Sequence, residues 1–224
     1  MRKSLFVVVD GMDGSGKSEL IKLLHNYLFL RSTKIKDFWD TKNAEHFSVN
    51  KKYRILTTRE PTNGAYGKKI RKILTEEKDP SSNAEKLLEL FTKDRKDHLK
   101  NIILPFLDSS NKHELNIVLC DRYYYSTIAF QSTQGLNLKR IIEKNRDFTK
   151  PDIAFILDVE PEIALERIKY RKKEKFEQIE FMKKLRQNFL SLPKRLNDNI
   201  RIIDASGNLE EVFKEVKEEI DKFL

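Results

Sequence analysis

Gly11-Met12-Asp13-Gly14-Ser15-Gly16-Lys17-Ser18 fills every fixed position of a G-x-x-x-x-G-K-[ST] phosphate loop. Its flanks are the ones that pattern needs. Leu5-Phe6-Val7-Val8-Val9 reads as a buried strand, and Glu19-Leu20-Ile21-Lys22-Leu23-Leu24 begins an apolar helical stripe. Glycines let backbone N–H groups close around phosphate oxygens, and the helix start adds partial positive charge. In such a loop Lys17 reaches the β- and γ-phosphates and the Ser18 hydroxyl sits on Mg²⁺. The stretch marks a nucleoside triphosphate site on a strand-loop-helix unit.

Outward from the loop, strands and helices alternate. Arg54-Ile55-Leu56-Thr57-Thr58 reads as a second strand closing on Arg59-Glu60-Pro61. Residues 116–120 form a third, closing on Asp121-Arg122-Tyr123, and residues 153–158 and 200–204 form two more. Helices are expected from 17 to about 30, over 68–74, from Leu87 to Phe106 with a kink at Pro105, and over 124–133 and 138–147. Others open at Glu160-Pro161-Glu162 and cover 178–191 and 209–223, while Asp79-Pro80-Ser81-Ser82-Asn83 is a turn able to cap the next helix. This order predicts an α/β architecture of three layers, a five-stranded parallel sheet flanked by helices. Residues 32–53 lose periodicity and read as an inserted excursion, a hairpin on the domain edge. No repeat or linker interrupts residues 1–224, which are expected to be a single domain.

The chain has 224 residues, a formal net charge of +9 and 35% charged residues. A basic surface suits nucleic acid and small phosphorylated substrates alike, and because the basic residues are dispersed, charge alone assigns no partner. The single cysteine, Cys120, excludes an intrachain disulfide and fits a reducing compartment. The four histidines show no metal-ligand spacing. The first apolar run stops at Asp10, too short for a signal peptide, and no run is long enough to cross a bilayer. A cytoplasmic protein with no membrane partner is expected.

No N-K-x-D guanine-reading motif occurs, and strand three ends in Asp121-Arg122 rather than Asp-Glu. Arg59 and Arg122 each follow a strand whose C-terminal end opens on the common crevice of a parallel sheet. Two guanidiniums there form a clamp for a second phosphate beside the one on the loop. That arrangement suits phosphoryl transfer to a monophosphate, whose ionised oxygen needs no general base. Another nucleoside monophosphate or deoxynucleoside kinase stays open; acting on a sugar hydroxyl, it would need a base such as Glu60. A nucleic-acid-binding ATPase is disfavoured by the missing second domain and Asp-Glu end, so nucleic acid is not an expected partner.

Five separated blocks resemble the thymidylate kinase family, P-loop nucleoside monophosphate kinases that phosphorylate dTMP with ATP. They are the loop 11–18; Thr58-Arg59-Glu60-Pro61; Leu90-Phe91-Thr92-Lys93-Asp94-Arg95; Asp121-Arg122-Tyr123 with Ser126, Ala129, Phe130 and Gln131; and Phe176-Glu177 with Phe181, Arg186 and Phe189. The resemblance implies a P-loop NTPase fold, Mg²⁺-dependent transfer to dTMP, and a homodimer. It places Asp13 near the acceptor phosphate and the metal, beside Ser18, and puts Arg59 and Arg122 on the dTMP phosphate. It stacks Phe91 on thymine, sets Arg95 against its carbonyl edge, and puts Thr127 against the base. Arg167 matches a residue lying against adenine, and the basic stretch 170–177 matches a lid over ATP. Gly14 stands where some members carry an arginine, so the catalytic cation is expected from the lid, first Arg171 and then Lys175. Three departures stand out: Thr62-Asn63 for a Gly-Gly pair, Phe130 for a tyrosine that crowds a ribose 2′-hydroxyl, and an excursion at 32–53 without counterpart.

Overall fold

The computed structural model describes residues 4–30, 36–40, 45–49, 53–76, 82–109, 115–169 and 179–224, with 36–40 and 45–49 described by their backbone. Strand β1 (Ser4–Gly11) is the centre of the sheet, and almost every residue of it is buried. It pairs in parallel with β5 (Leu115–Asp121) on one side and β6 (Ile153–Asp158) on the other. Outside these lie β4 (Tyr53–Arg59), parallel to β5, and β7 (Ile200–Asp204), parallel to β6. Five parallel strands thus stand as expected. The excursion adds two more, β2 (Lys36–Asp40) and β3 (Glu45–Val49), which pair antiparallel with each other and with β4, giving the order β2-β3-β4-β5-β1-β6-β7.

Alternation along β1 divides the core. Leu5, Val7 and Val9 face one apolar cluster with α1 (Lys17–Leu30) and α9 (Leu209–Asp221). Phe6 and Val8 face the other, with Val118, Cys120 and Ile156 and with α3 (Ala84–His98), α5 (Tyr124–Thr133) and α8 (Ile179–Arg195). A period of two puts successive side chains on opposite faces, and both faces being covered is what lets these strands be apolar throughout. Cys120 is a buried core thiol.

Several boundaries depart from the sequence reading. Helix α2 (Ala65–Glu76) starts earlier than 68, and α8 runs to Arg195 through Pro193 in its last turn. The helix expected from Leu87 to Phe106 is α3, a π-helical segment (Leu99–Ile103) and α4 (Leu104–Asp108), so winding changes where a kink was expected. Pro105 has no N–H to give to the preceding turn, and the wider spacing, with Leu104 N–H bonded to Leu99 O, absorbs the misfit. Asn83 holds the cap position of α3 but makes no side-chain cap bond there. The shorter helices α6 (Leu138–Asn145) and α7 (Pro161–Ile168) complete the layers. No described helix is long and apolar enough to cross a membrane. Residues 79–81 of the expected turn and the expected lid, 170–177, lie outside the described residues.

Register brings the functional strand ends level: Val9 and Arg59 both stand opposite Asp121, and Gly11 stands opposite Leu157. Below this edge the loop after β4 is fixed by Asp94 of α3, whose carboxylate accepts from Thr62 N–H at 2.8 Å and Thr62 Oγ1 at 2.7 Å. Gly67 of α2 is packed so tightly on this loop that a Cβ would fall inside the Thr62 carbonyl. Gly67→Ala is expected to destabilise the fold by about 1–3 kcal/mol, as overpacking does. Urea titration checks this, and an unchanged midpoint would contradict the close approach.

Candidate active site

One cavity of about 300 Å³ opens at the C-terminal edge of β1, β4 and β5, and its wall includes Asp13, Arg59, Phe91, Arg95, Arg122, Thr127 and Phe130. The structure thus brings together residues from five separate stretches of chain. Phe91 is only partly buried and faces this space. Arg95 stands one turn along α3, on the same helix face. Phe130 keeps its ring near those of Phe181 and Phe189, with centroids 6.4 and 6.3 Å away, and the Arg122 guanidinium lies 5.8 Å above it.

Arg122 sits just past β5 with φ of 69°, a left-handed conformation that costs a non-glycine residue about 1–2 kcal/mol. Its backbone N–H donates to Val9 O at 3.0 Å. Its guanidinium donates to Gly11 O at 3.0 Å and to Ser126 Oγ at 2.9 Å, and pairs with Asp13. The backbone conformation thus aims a cation back across the start of the phosphate loop. Arg59, by contrast, is exposed and makes no hydrogen bond or ion pair among the described residues. Arg71 lines the same cavity while donating to Pro61 O, Thr62 O and Asn63 Oδ1, at 2.8, 2.6 and 2.9 Å. Burial and then the neighbouring Arg59 push its pKa down.

In the loop, Lys17 Nζ donates to Met12 O at 2.6 Å and lies 3.5 Å from Ser15 Oγ. The Ser18 hydroxyl donates to Asp121 Oδ2 at 2.9 Å, and Asp121 Oδ1 is buried with no partner among the described residues. The carboxylate in contact with Ser18 is therefore that of Asp121, while Asp13 is turned to Arg122. Gly14 has φ of 81°, and a Cβ there would run into the Ala164 carbonyl of α7. Arg167 donates to Ala205 O at 2.9 Å and Ser206 O at 3.1 Å, beside Gly14, which places it at the outer edge of the loop. Arg171 and Lys175 lie outside the described residues.

Three participants were not singled out from sequence. Asp10, fully buried, accepts from the N–H groups of Gly11, Tyr123 and Ser126 and from Ser126 Oγ, at 2.8, 3.1, 2.9 and 2.6 Å. Burial nonetheless raises its pKa, with Arg122 the largest opposing influence. The signal was present: a carboxylate closing an otherwise apolar strand needs a reason to be there. Arg71 and Asp94 carried no such signal, because their partners are loop carbonyls and N–H groups that no residue pattern names.

Burial, and after it the Arg122 charge, lowers the Lys17 pKa to about 8 from an ordinary 10.5. Between these values the unfolded chain holds more protons, so Lys17 makes stability rise with pH across that window. Below pH about 8 the residue is charged in both states and its unfavourable contribution is constant. Lys17→Met is expected to gain stability relative to the parent below pH 8, with the difference shrinking towards pH 10.5. Paired denaturant titrations across that range test it, and a pH-independent difference would refute it.

A family model described as thymidylate kinase matches residues 41–216. A probable thymidylate kinase of Pyrococcus horikoshii is 36% identical over 221 residues, covering 96% of this chain and 94% of that protein. One of Archaeoglobus fulgidus is 35% identical over 222 residues, covering 98% and 96%. A thymidylate kinase of Caldicellulosiruptor saccharolyticus is 34% identical over 231 residues, covering 99% and 98%.

Proposed function

The chain belongs to the thymidylate kinase family, and from that premise we propose how its cavity carries out the family's reaction. The protein is an ATP-dependent phosphotransferase that moves the γ-phosphoryl group of ATP to dTMP, giving ADP and dTDP. The observation that carries the residue assignment is the meeting of Arg59, Arg122, Phe91 and Arg95 in one cavity beside Asp13 of the phosphate loop.

The dTMP phosphate lies between Arg59, which has no competing protein acceptor among the described residues, and Arg122, anchored by Gly11 and Ser126. Phe91 stacks on the base, Arg95 and Thr127 meet its polar edge, and Phe130 closes the sugar side. The attacking phosphate oxygen is already ionised, so no side chain need remove a proton. Holding two anionic groups in line and neutralising them is the catalytic task. ATP lies on the loop 11–18, with Lys17 on its β- and γ-phosphates and Arg167 at the adenine edge. Asp13 orients Arg122 where the two phosphates meet.

The residues fit a magnesium ion. Ser18 and Asp121 are in contact, and the second Asp121 oxygen is buried without a partner among the described residues, the hard oxygen chemistry this ion takes. With Asp13 nearby, these three would hold it, and the ion would supply positive charge against the transferring phosphoryl group. The remaining cation is assigned to the lid, Arg171 before Lys175. Gly14 cannot supply one, because the Ala164 carbonyl occupies the space its side chain would need. The same reading takes residues 1–224 as one domain of a cytoplasmic homodimer, which light scattering of the purified protein would test.

An ADP-release assay across dTMP, dUMP, UMP, CMP, AMP, GMP and thymidine tests the substrate. A preference for any acceptor but dTMP would overturn it. Arg59→Ala is expected to raise KM for dTMP tenfold or more, about the size of a lost charge-assisted bond, with KM for ATP unchanged. Arg171→Ala is expected to lower kcat by about 10³ with ATP affinity kept, as removal of an arginine finger does. Unchanged turnover would remove Arg171 from the mechanism.

A further inference from the structure

Behind the cavity wall, the functional arginine continues into a chain of buried polar groups. Arg95 is 1% exposed, and Glu60 Oε2 accepts from its Nε at 2.9 Å and its Nη2 at 2.7 Å. Nη2 also donates to Thr127 Oγ1 at 3.0 Å, and Nη1 donates to Asn145 Oδ1 at 2.6 Å. Four of the five guanidinium hydrogens are thereby spoken for, leaving one on Nη1 for a ligand. The rings of Tyr123 and Phe148 lie 5.2 and 5.6 Å from the guanidinium carbon and restrain its tilt. The in-plane orientation is set by Glu60.

What sets Glu60 is His98, which is 1% exposed and is not part of the cavity wall. Its Nδ1 is 3.2 Å from Glu60 Oε1, and its Nε2 is 2.7 Å from Thr58 Oγ1. Each carboxylate oxygen thus has its own duty, Oε1 to the imidazole and Oε2 to the guanidinium. A carboxylate only accepts, so Nδ1 must carry the proton; in the neutral ring Nε2 then accepts from the Thr58 hydroxyl. Both hydrogen bonds of the ring run one way, from Thr58 through His98 to Glu60, and Arg95 donates to that carboxylate from the other side.

We propose that His98 is a positioning residue for base recognition, holding Glu60 so that Arg95 presents its one remaining N–H to the pyrimidine edge. This rests on the reading of Arg95 as the residue facing the base. Without the imidazole donor, Oε1 is left buried and under-satisfied, and the carboxylate can turn only by disturbing both bonds to Arg95. Removing Glu60 or Arg95 would be a blunter test, since each leaves an uncompensated buried charge.

Two amide substitutions separate the ring nitrogens. His98→Asn keeps a donor near the Nδ1 position and so keeps the bond to Glu60. His98→Gln reaches the Nε2 position and keeps only the contact to Thr58. Steady-state kinetics are expected to show KM for dTMP about tenfold higher in H98Q, the size of a lost bond to a charged group, with kcat and KM for ATP unchanged. H98N stays close to the parent. Selectivity for dUMP over dCMP, which differ by a carbonyl against an amino group on the pyrimidine edge, falls in H98Q and not in H98N. Equal losses in the two variants, or a KM for ATP that rises in step, overturn the proposal, because lost packing would not distinguish the amides in this sense.

A second measurement needs no variant. Imidazole ¹⁵N spectra of the whole protein are expected to show His98 with Nδ1 protonated and Nε2 bare. The opposite tautomer overturns the relay. Parent turnover of dTMP tests the substrate reading separately: its absence removes dTMP as the acceptor, while the ¹⁵N pattern still upholds or overturns the relay by itself.

Discussion

A carboxylate shut away from water, that of Asp10, joins the two strand ends on which the site is built. Burying an unpaired charge is costly, and four donors with the Arg122 guanidinium at 3.8 Å offset that cost. Three of those donors are backbone N–H groups, one from the entry of the phosphate loop and two from the start of α5. Asp10 therefore sets the loop relative to Tyr123 and Ser126, and with them the left-handed turn that carries Arg122. The Arg122 guanidinium takes its aim from an acid that does not line the cavity.

The cavity wall formed by β4 and α3 is stiffened in the same way, by buried polar bonds more than by apolar packing. Glu60, Arg95, His98, Asn145 and Thr127 are each under 5% exposed, and they satisfy one another. Asp94 fixes Thr62, and Arg71 holds the carbonyls of Pro61 and Thr62, so the loop after β4 is tied from both sides. The Thr62-Asn63 pair, in place of two glycines, has work here: Thr62 bonds Asp94 and Asn63 accepts from Arg71. Such networks hold direction well because each donor lost leaves a buried partner unsatisfied.

Much of this could be read beforehand. The phosphate loop and the apolar strands were legible because their patterns are local and their periodicities differ. Arg59 and Arg122 were legible because parallel strands end in one crevice, whereas Phe91 and Arg95 were named by the resemblance to the thymidylate kinase family, with which their four-residue spacing on one helix face agrees. The pairing of residues 36–40 with 45–49 answers the hairpin expected there, but its joining the sheet through β4 was not legible in a stretch without periodicity. The π-helical segment left no mark beyond Pro105, and a serine in the loop gave no hint that its partner would be Asp121, 103 residues away.

The sequence by itself determined which chemistry is present: a triphosphate loop, two strand-end arginines, and an aromatic ring one turn from a third arginine. These follow from spacings of a few residues, where chain geometry leaves little freedom. Tertiary structure decided which of those groups are free and which are occupied. Among the described residues, Arg59 meets the cavity without a protein partner, Arg122 is shared with Asp13, and Arg95 keeps one hydrogen of five. Ser18 meets Asp121 rather than Asp13, and Gly14 is held bare by the Ala164 carbonyl. Hydrogen-bond satisfaction and excluded volume are properties of neighbours in space, and the order of residues along a chain does not contain them until the chain has folded.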